Sequence, residues 1–123
     1  MKAEIRIPAW LESAIEISWA PETSFYPSRW NSDNPALGQC AVTAILLSEL
    51  CGLQVVRGTY RGNRRHYWNV DEDGNIIDMT LSQFPPGMRF HDEQVVNPKA
   101  MLKNKLLMHR YTLLREAVLG MEP

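Results

Sequence analysis

The spacing of apolar positions changes period along the chain, and each change marks an element. Over residues 8–19, Trp10, Ala14 and Ile17 fall at i, i+4 and i+7, and Leu11 and Ile15 widen them into a helical stripe. Pro8 suits a first helical turn and Pro21 stops the run, so the first helix is expected over 8–19. Residues 39–51, QCAVTAILLSELC, are apolar nearly all round, with Thr43, Ser48 and Glu49 as the interruptions. A helix with so little polar face belongs at the centre of a domain, and Gly52 supplies a left-handed cap for it. Three strand-like runs follow at Leu53–Tyr60, Arg65–Val70 and Asn75–Thr80, joined by the turn-forming Arg61-Gly62-Asn63-Arg64 and Asp71-Glu72-Asp73-Gly74. Asn97-Pro98 then opens a last helix carrying Leu102, Leu106, Leu107, Leu113, Leu114 and Val118, closed by Gly120. The order α-α-β-β-β-α predicts an α+β fold, a buried central helix on a small antiparallel meander between N- and C-terminal helices.

Composition narrows the class. With 123 residues, 45% of them hydrophobic and 22% charged, residues 1–123 suit one globular domain. Thirteen basic against fourteen acidic residues argue against nucleic acid as a partner. No apolar run approaches the ~20 residues of a membrane span. Glu4, Glu12 and Glu16 fall where a signal peptide would be apolar, and two cysteines are too few for a disulfide framework, so a cytoplasmic protein is expected. The loop from Ala20 to Leu37 carries Phe25, Tyr26 and Trp30, which should pack it down as a wall of any site at the helix start.

Cys40 opens the central helix, where unpaired N–H groups and the positive end of the helix dipole favour a thiolate and can hold an oxyanion. An isolated cysteine in an apolar segment is also, commonly, an inert core residue. Cys51 is the internal control. It returns to nearly the same helix face, but a rise of ~1.5 Å per residue puts it roughly 16 Å away, too far for a disulfide and at the negative dipole end. His66 opens the second strand, and Asp78 lies in the apolar run Ile76-Ile77-Asp78-Met79, where a carboxylate needs a partner. If the Asp71–Gly74 turn is a bulged three-residue hairpin, Asp71 pairs with Asn75 and His66 lies diagonal to Asp78 on one face, ~7 Å apart. A two-residue Asp73-Gly74 turn would put them on opposite faces. The sequence permits both registers.

A helix that begins at a cysteine, followed by strands bearing His and then Asp, has the logic of nucleophile, base and orienting group. This order resembles the papain-like superfamily of cysteine enzymes, including its transglutaminase-like members. More closely, Gly38-Gln39-Cys40-Ala41-Val42-Thr43-Ala44, His66-Tyr67-Trp68-Asn69, Ile77-Asp78-Met79-Thr80 with Gln83-Phe84, and Arg110-Tyr111 with Leu113-Leu114 resemble the YunG family of small bacterial proteins. The resemblance implies a papain-like fold with a catalytic set on Cys40, His66 and Asp78.

Two residues could complete the oxyanion site. Gln39 adjoins Cys40, and Asn34 stands six residues upstream, the offset of the oxyanion glutamine in papain-like enzymes. Each has a plainer role, Gln39 as a helix-start hydrogen-bonder and Asn34 as a turn residue before Pro35. Trp30, Tyr67 and Trp68 are the candidate substrate contacts. No close-spaced Cys or His pair supports a metal, and no cofactor is expected. Arg57, Arg61, Arg64 and Arg65 cluster around the first hairpin, as a solvated tip or as a patch that meets an anionic substrate or RNA. The reading that follows is a small cysteine hydrolase or acyltransferase acting on a small-molecule, peptide or acyl substrate. Its rival is a catalytically silent module that uses the Arg-rich hairpin and aromatic loop to hold a partner.

Overall fold

The computed structural model describes residues 7–123. Its described elements are four helices and a four-stranded antiparallel sheet. Helix α1 spans Ala9–Ser18 and buries Leu11, Ala14 and Ile15. The apolar stripe is therefore rotated from the one expected, and Ile17 is exposed. Helix α2, Cys40–Cys51, buries every residue from Val42 to Leu47 and ends at Gly52 in the left-handed conformation, φ 71°. The core joins Leu11 and Ile15 of α1 to Ile45, Leu46 and Leu47 of α2 and to Leu114 further along the chain. Polar side chains buried with α2 are satisfied: Trp19 Nε1–H donates to Thr43 Oγ1 (2.9 Å), and the Asn69 amide donates to the Ala44 carbonyl (3.0 Å).

Strands β1 (Gln54–Tyr60) and β2 (Arg64–Val70) form a hairpin in the register Gln54↔Val70 to Tyr60↔Arg64. β3 is a two-residue strand, Ile76–Ile77, paired as Asn69↔Ile77 and Val70↔Ile76. The run 75–80 thus departs from strand after Ile77, because the Asp78 carboxylate accepts from Thr80 N–H and turns the chain into a short 3₁₀ segment at Leu81–Gln83. A further strand, β4 (His91–Val96), pairs antiparallel with the outer side of β1 and gives the order β3-β2-β1-β4. The meander expected from the sequence is present, with this extra edge strand.

The last helix is two helices. α3 covers Pro98–Met101 and α4 covers Lys105–Leu119. Asn97 caps the first through Lys99 N–H. Asn104 caps the second through Leu107 N–H, which starts a new helix where the periodicity alone continues the old one. Tyr111, Leu114 and Val118 bury α4 against the core, while Leu106 remains exposed. Glu49 on α2 ties the helices together, accepting from the Tyr111 hydroxyl and from the Arg115 guanidinium at 2.8 Å.

Candidate active site

The Asp71–Gly74 turn decides where His66 and Asp78 meet. Asp71 N–H donates to the Asn75 carbonyl at 3.1 Å, and Gly74 N–H donates to the Asp71 carbonyl at 3.0 Å. Gly74 takes φ 83°, a value that suits glycine in a bulged loop. This is the bulged register, and it brings the two side chains together. His66 Nε2–H donates to Asp78 Oδ2 at 2.7 Å, with His66 fully buried and the Asp78 side chain 8% exposed. The other carboxylate oxygen, Oδ1, accepts from the Thr80 backbone (3.2 Å) and hydroxyl (3.4 Å), so the group that orients the imidazole is itself held.

Three aromatic rings fix the imidazole plane. Phe90 stacks on it at 4.8 Å, Phe84 meets it edge-on at 4.8 Å, and Trp68 lies 5.6 Å away. Gly58 makes room for this cluster, since a Cβ there would fall 2.5 Å from the Trp68 ring. Trp68 is 5% exposed, packs beside His66, and does not line the larger cleft at Cys40.

Burial pulls the His66 pKa down, but the hydrogen bond to Asp78 and the nearby Cys40 thiol outweigh it and raise the value from 6.5 to about 9. No hydrogen bond of ordinary geometry joins Cys40 to the ring. His66 Nδ1 is buried without a partner among the described residues, and the thiol is near enough to act on it. Cys40 also borders a narrow crevice that reaches Asp78. Cys40, His66 and Asp78 are thus gathered at the start of α2, and Cys51 lies at the far end of that helix, where burial pushes its thiol pKa up.

The first turn of α2 is open. Gln39, its N-cap, makes no capping bond, and the first helical N–H to be paired is that of Thr43, to the Gln39 carbonyl at 3.1 Å. The Gln39 side chain points elsewhere: it is fully buried, accepts from Thr23 Oγ1 (2.8 Å) and donates to the Ala20 carbonyl (3.0 Å). It staples the 20–38 loop rather than serving the thiol. Trp30 closes a turn in that loop through Nε1–H to the Pro35 carbonyl at 2.9 Å, and Asn34 N–H donates to the Asn31 carbonyl there at 3.2 Å. Neither Trp30 nor Asn34 lines the cleft beside Cys40.

The residue that sequence reasoning passes over is Gln83. Its Oε1 accepts from Gly38 N–H at 3.1 Å, two residues before Cys40, while its buried Nε2 has no hydrogen-bond partner among the described residues. A buried unpaired amide donor costs about 1–3 kcal/mol. Gln83 and Cys40 line the same cleft of ≈ 370 Å³. Gln83-Phe84 stands among the words that carry the family resemblance, and that was its sequence signal. Gly38 holds its side of the cleft with φ 75°, and a Cβ there would fall 2.3 Å from Ser24 Oγ. Phe25, Tyr26, Tyr60, Tyr67 and Phe84 supply aromatic walls, so the loop does form part of the cleft, through Phe25 and Tyr26. Phe25 keeps 62% of its surface exposed, and Arg110 lies over its ring.

Among the described residues, no group of three or more acidic, His or Cys side chains is placed to hold a metal ion, and no helix is long and apolar enough to cross a membrane. The family model described as "YunG protein" matches residues 8–121, and the chain belongs to that family. No curated protein and no solved structure matches it.

Proposed function

We propose that this member of the YunG family is a small cysteine hydrolase or acyltransferase that works through a thioester on Cys40. The observation that carries the reading is the buried 2.7 Å pairing of His66 with Asp78, with the second imidazole nitrogen left for the thiol at an uncapped helix start. The order of a helix-start Cys, a strand His and a following Asp supports a place in the papain-like superfamily. Two free cysteines suit a reducing cytoplasm.

In the proposed reaction the Cys40 thiol gives its proton to His66, whose hold on a proton is strengthened to a pKa of about 9, and the resulting thiolate faces an imidazolium. The thiolate adds to the substrate carbonyl carbon, and the C=O π pair moves onto oxygen. Backbone N–H groups at the first turn of α2 and the Gln83 amide N–H receive that oxyanion. Collapse of the adduct expels the leaving group, which takes the His66 proton and leaves a thioester and a neutral imidazole. Water or an acceptor then gives its proton to His66 as it adds to the thioester carbonyl. Release of the product restores thiolate and imidazolium. Asp78 keeps the ring in register throughout.

The rival reading, a silent binding module, makes the two thiols chemically ordinary. Alkylation by iodoacetamide near neutral pH separates the readings. The thioester reading expects Cys40 to react at least ten-fold faster than Cys51 and to lose that advantage in His66→Gln. Equal rates at the two cysteines favour the binding module.

A further inference from the structure

The chain carries a net charge of −1, but its cleft does not share that sign. Among the described residues, the charged side chains that line the cleft are Arg64 and Arg65 alone. Both are exposed, and neither has a salt bridge or hydrogen bond within the described chain. A guanidinium without an internal partner presents its whole fork to a ligand, and that fork matches the two oxygens of a carboxylate or phosphate. Aromatic walls of low polarity focus the field of such charges into the cleft.

Tyr60 stands in the cleft with both this charge and the Cys40 sulfur. It pairs with Arg64 across the end of the β1–β2 hairpin, and it lines the cleft with Cys40. Cys40 and Arg64 line that same cleft, so one ligand filling it meets both. A cleft of ≈ 370 Å³ is at the small end for a ligand pocket and suits a short acyl group.

We propose that the site selects short acyl donors bearing an oxyanion group, a carboxylate or a phosphate, at the end away from the reacting carbonyl, with Arg64 and Arg65 as the specificity-determining pair. This rests on the thioester reading above. Four-nitrophenyl butyrate and the 4-nitrophenyl monoester of glutaric acid offer acyl chains of similar length, one neutral and one anionic. Nitrophenolate release is followed with Cys40→Ala as the blank. The anionic ester is expected to acylate Cys40 about ten-fold faster at low salt, with the advantage shrinking as ionic strength rises. In R64Q/R65Q the ratio of the glutarate rate to the butyrate rate falls to about one. Sodium phosphate and sodium acetate are then added as competitors at equal ionic strength, and whichever slows the glutarate reaction more identifies the oxyanion the pair prefers. Equal rates for the two esters in the wild-type protein overturn the proposal, as does a preference that survives in R64Q/R65Q. Failure of both esters to acylate Cys40 is a different result, because it removes the thioester reading itself.

Discussion

His66 and Asp78 are joined across the β2–β3 turn by one 2.7 Å bond, from imidazole Nε2–H to carboxylate Oδ2, and that bond exists because the turn holds one residue more than the tightest hairpin. The bulge keeps the two residues on one face. A one-residue shift would send Asp78 to the other face and leave a buried imidazole unpaired.

The bond, together with the neighbouring Cys40, gives His66 a pH signature. Unfolded His66 binds its proton with a pKa of 6.5 and folded His66 with one of about 9, so between those values the folded state holds more protons and stability falls as pH rises. The whole contribution, about 3 kcal/mol if the rise is converted directly, is present below pH 6.5 and gone above about pH 9. Asp78→Asn removes the carboxylate. Its deficit in urea denaturation is expected to be largest below pH 6.5 and to shrink as pH rises through 9, with the His66 ring titrating lower by NMR. Coincident His66 titration curves in the two proteins would contradict the pairing.

Where sequence and structure agree, the residues carry strong local signals. Gly52 after an apolar helix names its own backbone geometry and is found as read, whereas the Asp71–Gly74 turn permitted two registers and the structure takes the bulged one. Where they part, the deciding interaction is distant. β4 is exposed along most of its length and shows no alternation to reveal it; it is a strand because β1 offers an edge. The break between α3 and α4 turns on one side chain, Asn104, inside an otherwise helical pattern. At the site, the meeting of His66 with Asp78 near Cys40 was legible, whereas the surroundings of two glutamines were not. Gln39 adjoins Cys40 in sequence but bonds to Thr23 and Ala20, and Gln83 reaches Gly38 from 45 residues away.

Gln83 separates acylation from simple thiol reactivity. Alkylation by iodoacetamide forms no oxyanion, whereas acylation by a nitrophenyl ester does. Gln83→Met is therefore expected to lower the acylation rate about 10²–10³-fold and to leave alkylation of Cys40 near the wild-type rate. Gln83→Glu keeps the acceptor for Gly38 N–H and loses the donor, so it should fail in acylation while retaining the native melting transition. A wild-type acylation rate in Gln83→Met would remove this residue from the oxyanion site.

The two left-handed glycines at the ends of this region differ in surroundings. At Gly52 a Cβ meets nothing within 4 Å, so Gly52→Ala costs only the backbone penalty, about 1–2 kcal/mol. At Gly38 the same Cβ meets Ser24 Oγ at 2.3 Å and Phe25 N at 2.8 Å, which adds a steric cost and pushes the aromatic loop off the cleft. Urea denaturation should rank Gly38→Ala as clearly the more damaging of the two. The reverse order would mean that the loop does not hold the position described.

The most direct test of the account is the covalent one. The wild-type protein is treated with 4-nitrophenyl acetate at neutral pH, quenched in acid and mapped by mass spectrometry. The account predicts one acetyl group, on Cys40 and not on Cys51, released by hydroxylamine as a thioester is, and absent from folded Cys40→Ala and from His66→Gln. An acetyl group on Cys51, equal labelling in His66→Gln, or no acylation of Cys40 in the wild-type protein would contradict it.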